Sequence, residues 1–200
     1  MKRLVLASGN PGKIREIRAL LEPLAIEVVP QSELGIGEAD EPHQTFLENA
    51  LAKARHASRA SGLPALADDS GLCVEALGGA PGVHSAYYAG HEGDRETRDA
   101  RNNMKLLAAL KDDRRAYYQC VIVLVKRPED NTPLVAEGRW QGEIAREPRG
   151  TNGFGYDPLF FVEELNKTAA ELDPETKNRI SHRGKALAKL LLLLEDGNPG

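Results

Sequence analysis

The chain has 200 residues, 41% of them hydrophobic and 28% charged, with a net charge of −4. That length builds one large domain or two lobes on a shared core, and the composition is that of an ordinary soluble protein. The negative balance excludes a broad electrostatic footprint for polymeric DNA or RNA, yet it leaves room for a small polyanion wherever cations gather.

Short strands alternate with helices, which predicts an α/β domain. The first strand covers residues 3–7, and a helix follows with Ile14, Ile17, Leu20, Leu21 and Leu24 on one face. A short strand over 26–29 leads into a polar stretch, 31–43. A long helix over 45–60 carries the stripe Leu47, Ala50, Leu51, Ala54 and Ala57. Residues 65–68 and 72–76 read as strands on either side of an acidic turn, Asp68-Asp69-Ser70-Gly71. A helix over 97–110 precedes two long strands, 116–126 and 134–145. Their short connection predicts an antiparallel pair and so a mixed sheet. The last helix begins near Ser181 and carries leucines. That leucine run is short and ends in Glu195-Asp196, so no stretch reaches a membrane span. The opening Met1-Lys2-Arg3-Leu4 leads directly into a strand without a secretory core, and a cytoplasmic protein is expected. Cys73 and Cys120 lie in apolar runs without a CxxC partner and are expected as buried, reduced thiols.

Several segments break these patterns. Asp68 and Asp69 interrupt an apolar run, and neighbouring carboxylates there need a cation, a proton or hydrogen bonds. A turn and a site fit that segment equally. Ser8-Gly9-Asn10-Pro11-Gly12-Lys13 joins the first strand to the first helix, with Asn10 as N-cap and Pro11 in the first helical position. The free N–H groups of that helix start would suit an anion, and Lys13 in the first turn, where the helix dipole opposes it, either meets that anion or is a solvated lysine on a surface turn. Residues 178–185 repeat the anomaly. Ser181 is a plausible N-cap with His182 and Arg183 in the first turn, and Asp173-Pro174-Glu175 caps a short turn bearing Lys177.

Thr45 and Glu48 form a T-x-x-E capping box. Asp40 and Glu41 fall outside it. They are either solvated loop acids or partners of Asp68 and Asp69 in an all-oxygen Mg²⁺ site completed by waters and phosphate oxygens. Asn49, Lys53 and His56 share one polar helix face, on which Lys53 is either a phosphate contact or a plain surface lysine. In Thr151-Asn152-Gly153-Phe154-Gly155-Tyr156-Asp157-Pro158 the two rings pack either on the core or on a flat base. Trp140 reads as packing.

Taken in order, SGNPGK, TFLENA–LAKA, ADDSGL, GGAPGVHSA, TNGFGYDPLF and ISHRGKAL resemble the inosine triphosphate pyrophosphatase family over residues 4–193. Such enzymes hydrolyse ITP, dITP and XTP to the monophosphate and pyrophosphate. The resemblance implies one domain over 1–200, an elongated mixed α/β fold whose two lobes flank a substrate cleft, and a homodimer. It implies Asp69 as proton acceptor and Glu41 with Asp69 as Mg²⁺ ligands. Substrate contacts are implied for Ser8, Gly9, Asn10, Pro11, Gly12, Lys13, Ser70, Phe154, Gly155, Tyr156, Asp157, Lys177, His182 and Arg183. Tyr87 stands where the family commonly has arginine, His84 replaces a common tyrosine, and Ser8 keeps the hydroxyl of a more usual threonine. A pyrophosphatase for pyrimidine or modified nucleotides is the nearest rival. A non-catalytic nucleotide binder is disfavoured by Glu41, Asp68 and Asp69, since binding alone needs cations more than clustered acids.

Overall fold

Asn10 starts the first helix as its sequence suggests: its Oδ1 accepts from the N–H groups of Gly12 at 2.9 Å and Lys13 at 3.2 Å. A computed structural model describes residues 2–196 of the chain. In order, the principal elements are β1 Arg3–Leu6, α1 Pro11–Leu21, β2 Glu27–Pro30, α2 Phe46–Ser61, β3 Ala65–Val74 and α3 Arg95–Ala109. They continue as β4 Arg115–Val125, β5 Leu134–Ile144, β6 Phe160–Val162, β7 Lys167–Thr168, α4 Pro174–Ile180 and α5 His182–Asp196. The strands form one seven-stranded sheet in the order β2-β1-β3-β4-β5-β6-β7. β1 pairs parallel to β2 and β3, whereas β6 pairs antiparallel to β5 and β7. The sheet is mixed, as predicted. Pro30 is tolerated in β2 because that strand lies at the sheet edge.

Two compact units divide the chain. The first comprises residues up to Asp69, Cys120–Gly138 and residues from Arg183 onward; the second comprises Ser70–Gln119 and Arg139–His182. In the first unit β1 from Leu4 onward, β3 and β4 alternate strictly between two buried faces. Leu4, Leu6, Leu66, Cys120, Ile122 and Leu124 pack with Ile17 and Leu21 of α1 and with Ala186, Leu187 and Leu190 of α5. Val5, Ala7, Ala65, Ala67, Val121 and Val123 pack with Ala50, Ala54 and Ala57 of α2. The alanine stripe lets α2 approach this valine and alanine surface closely, and cover on both faces gives β1 and β3 their near-continuous apolar sequences. The second unit has an aromatic core of Tyr118, Trp140, Tyr156 and Phe160 with Leu72, Val74, Leu106 and Leu159. Trp140 is packing there, its ring 5.0 Å from that of Phe160.

One predicted break is absent. β3 runs unbroken from Ala65 to Val74, straight through the acidic residues that were read as a turn between two strands. The local turn chemistry yields because each carboxylate finds a cation while the backbone stays extended. Gly71 is required in this strand for space: a Cβ there would stand 2.2 Å from the Gly82 carbonyl oxygen. The short strands β6 and β7 went unpredicted, since two or three residues carry no readable period. α3 starts at Arg95, two residues ahead of expectation, because Asp94 caps it by accepting from the Thr97 N–H at 2.9 Å. The two unusual residues of the 82–87 stretch keep to the second unit, where Tyr87 stacks on His91 at 4.2 Å. Both cysteines are free and buried, and no helix among the described residues is long and apolar enough to cross a membrane.

The β4–β5 connection is held by Asp130, whose carboxylate accepts from the N–H groups of Lys126 at 2.9 Å and Thr132 at 3.0 Å. Those bonds, the first foremost, hold its carboxyl below the ordinary value. A carboxyl with a lowered folded pKa stabilises above its unfolded pKa and loses that contribution as pH falls through the folded one. Asp130→Ala is expected to cost roughly 1 kcal/mol at neutral pH. Paired thermal melts should show the gap to wild type closing below about pH 4.

Candidate functional site

Residues 68 and 69 are adjacent on β3, so their side chains leave the strand on opposite faces. Asp68 takes the face of Leu66 and meets α1 and α5: Lys13 Nζ lies 3.0 Å and Arg183 Nη2 3.2 Å from its Oδ2. Arg183 is additionally paired through Nη1 with Glu16, one turn beyond Lys13 on α1. Asp69 takes the face of Ala67 and meets α2, where Lys53 Nζ lies 2.8 Å from its Oδ1. The same ammonium lies 2.8 Å from Oε1 of Glu41.

The polar face of α2 positions Glu41. Asn49 exchanges hydrogen bonds with both backbone groups of His43, accepting at 3.0 Å and donating at 3.2 Å. Nε2 of His56 lies 3.1 Å from the Gly37 carbonyl oxygen. Asn49, Lys53 and His56 thus tie down three points of the 37–43 segment from successive turns of one helix.

Charge follows from this packing. Burial would raise the Asp68 carboxyl, but the cations Lys13, Arg183 and Lys53 hold it well below the usual carboxylate range. For Asp69 burial wins, and the carboxyl is pushed up despite Lys53 and Lys13, with Glu41 adding to the rise. Lys53 is partly buried, which opposes its charge, yet Asp69, Glu41 and Asp68 keep its ammonium charged well above the ordinary lysine range. Burial, with the Asp68 charge beside it, pushes the Cys120 thiol up to about 12, so it is an inert neighbour.

Several sequence expectations change here. Two of the first-turn cations predicted to lack counter-charges, Lys13 and Arg183, find one in Asp68, and Lys177 finds Asp157 at 2.7 Å. The N–H groups of Gly12 and Lys13 are not free for an anion, because the Asn10 side chain engages both. An all-oxygen cluster of Asp40, Glu41, Asp68 and Asp69 does not form. Asp40 is exposed, Asp68 faces Lys13 and Arg183, and only Glu41 and Asp69 share a cation. Among the described residues no group of three or more His, Cys, Asp or Glu is arranged to hold a metal ion. The remaining carboxylate pair still suits Mg²⁺, which takes one or two protein carboxylates and fills its shell with water and phosphate oxygens. Asp69 Oδ2 is buried without a hydrogen-bond partner, an acceptor left for a cation.

Around the helix start, Ser8 Oγ accepts from the Asn10 N–H at 3.2 Å and Pro11 opens α1. Gly12 is buried against the core. A Cβ on Gly9 would stand 2.1 Å from Oε1 of Glu38, so that carboxylate lies against the loop. Ser70 follows Asp69 on β3.

The second unit gathers the other predicted residues. Asp157 Oδ2 accepts from Lys177 Nζ at 2.7 Å and from the Phe154 N–H at 2.8 Å. Tyr156 is buried, and its hydroxyl donates to the Ser85 carbonyl at 2.8 Å, so that ring packs in the core rather than offering a face to a base. Phe154 is only partly buried, with Lys177 Nζ 4.9 Å from its ring centre. The His182 ring stacks on Tyr118 at 4.6 Å and 9°. Sequence reasoning missed Glu16 and Tyr118. Glu16 was legible in principle, as a helix carboxylate three residues after Lys13; Tyr118 gave no signal beyond a strand aromatic.

The Ham1 family model matches residues 4–192. A protein named dITP/XTP pyrophosphatase from Burkholderia pseudomallei is 63% identical over 96% of this chain and 93% of its own length. Its namesake from Nitrosomonas europaea is 63% identical over 98% and 96%. Among solved structures, a HAM1 protein from Coxiella burnetii superposes with a TM-score of 0.89 at 50% identity, covering 98% of this chain and all of that one. The Staphylococcus aureus Ham1 protein gives 0.84 at 40% identity, with the same coverage. A family match spanning nearly every element, joined to the same fold at such identity, leaves one assignment: this chain belongs to the Ham1 family.

Proposed function

We propose that this chain hydrolyses non-standard purine nucleoside triphosphates, ITP, dITP and XTP, to the monophosphate and pyrophosphate. The observation that carries the reading is the ion network of the first unit, where Lys53 joins Glu41 to Asp69 while Lys13 and Arg183 share Asp68. Relatives named dITP/XTP pyrophosphatase at 60–63% identity over nearly the whole chain support it. Carboxylates outnumber cations in this set once Glu16 is included, so a polyphosphate enters it best with a divalent cation.

Glu41 and Asp69 would hold Mg²⁺. When bound, it screens the phosphate charge and orients the reacting group. Asp69, made more basic by burial, accepts the proton of the attacking water. Lys13 and Lys53 carry the charge that grows on the pyrophosphate leaving group. Ser8, Gly9, Asn10, Pro11, Gly12 and Ser70 line the phosphate end in this reading. Phe154, Gly155, Asp157, Lys177 and His182 serve the base, and Tyr156 anchors their loop to the core through its hydroxyl bond to Ser85.

Base choice has a donor–acceptor form. Hypoxanthine and xanthine present a 6-keto acceptor where adenine presents an amino donor, so donors placed there reject adenine by leaving buried groups unpaired. The Arg183 guanidinium is 2% exposed and spent on Asp68 and Glu16. Its contribution to the base is therefore proposed through the backbone N–H at the start of α5. A homodimer and a cytoplasmic setting belong to the same proposal, the latter because the nucleotide pool to be cleared lies there.

Pyrophosphate release from ITP, ATP and dUTP with Mg²⁺, beside an EDTA control, tests the reading. Release from ITP well above ATP, abolished by EDTA, is expected. Preference for dUTP, or release that persists in EDTA, would overturn it.

A further inference from the structure

We propose that Asp99 and Asn103 of α3 are positioning residues for base recognition, acting through the backbone of Gly155. Arg95, Asp99 and Asn103 recur every four residues and so share one helix face. Asp99 Oδ2 accepts from the Gly155 N–H at 2.9 Å, and Asn103 Nδ2 donates to the Gly155 carbonyl oxygen at 2.9 Å. Those two groups belong to the peptide planes on either side of Gly155, so α3 fixes both. The grip matters at this residue, because φ is +64° and a glycine there moves readily between backbone basins.

What the grip orients is the loop read above as base-binding, and the proposal rests on that reading. On one side of Gly155 is Phe154, whose ring centre lies 4.8 Å from the Arg95 guanidinium carbon and 4.9 Å from Lys177 Nζ. On the other is Asp157, which accepts from both Lys177 and the Phe154 N–H. Arg95 Nε in turn lies 3.7 Å from Asp99 Oδ2, so one carboxylate serves both the peptide and the cation beside the ring. A loop ordered before the ligand arrives spares the ligand that ordering cost, and the gain falls on affinity rather than on the chemical step.

Asn103→Leu removes the donor at similar volume, Asp99→Leu removes the acceptor, and Asp99→Asn keeps an acceptor. Full-length variants are compared by steady-state hydrolysis of ITP and ATP, melting temperature, and amide hydrogen exchange over 154–157. Both leucine variants are expected to raise KM for ITP about tenfold with kcat within about twofold, as lost pre-organisation requires. They should also lower the preference for ITP over ATP and speed exchange at the Gly155 amide, while Asp99→Asn stays near wild type. Unchanged KM in the leucine variants, or activity that falls only in step with the folded fraction, would overturn the proposal. Should wild type turn over no purine triphosphate, the functional reading fails separately; the exchange rates then decide the positioning claim, and unaltered exchange in both leucine variants ends it.

Discussion

Asp69→Asn is expected to lower turnover of ITP by about 10²–10⁴-fold, the range over which a positioned general base contributes. Nucleotide affinity and fold should be retained, since asparagine keeps an oxygen for Lys53 and the strand buries a side chain of the same shape. Both features of Asp69 enter this expectation: burial makes its carboxylate a stronger proton acceptor, and Lys53 at 2.8 Å fixes the direction of its Oδ1. Stopped or steady-state assays of pyrophosphate release, with binding of the product monophosphate measured in parallel, separate the two quantities. Turnover within a few-fold of wild type would remove Asp69 from the proposed role.

Its neighbour should behave in the opposite manner. Asp68 is the shared counter-charge of Lys13 and Arg183, and the Arg183 side chain is 2% exposed. Removing one partner of a buried ion pair strands the other, so Asp68→Ala is expected to cost about 3–5 kcal/mol. For a protein of this size that is a fall in melting temperature of roughly 6–20 °C. The double variant Asp68→Leu, Arg183→Met should recover part of the loss, because no guanidinium is then left facing a missing carboxylate. A melting temperature for Asp68→Ala equal to wild type would show the network to be energetically idle. Two adjacent aspartates thus give separable phenotypes, one in stability and one in turnover. The cause is the two-residue period of the strand that carries them.

The difference between those residues marks the limit of what the sequence could tell. The cap at Asn10, the stripe of α2 and the strands β1 and β4 were all legible, because each depends on neighbours within a few positions. So were the unusual residues Lys13, Glu41, Asp69 and Arg183, which stood out against local patterns, whereas Lys53 was legible only as one of three residues on a polar helix face. What those residues do to one another was not legible. Lys13 and Arg183 were read as cations awaiting an anionic ligand, yet Asp68 lies 55 residues beyond the first and 115 before the second, and it answers both. Phe154 and Tyr156 were read together as rings that pack alike. The second is committed to the core through its hydroxyl bond to Ser85, a partner 71 positions away.

Composition, periodicity and ordered motifs therefore determined the α/β class, most of the elements and the roster of chemically active side chains, since these are properties of short stretches of chain. Only the tertiary structure decided that Asp68-Asp69 is a strand and not a turn, that its two carboxylates face different helices, and that Lys53 rather than a second aspartate stands beside Glu41. Local propensity at that segment favours a turn by little. Three ion pairs formed on the two faces of the sheet outweigh it, and their partners converge only when the chain is folded.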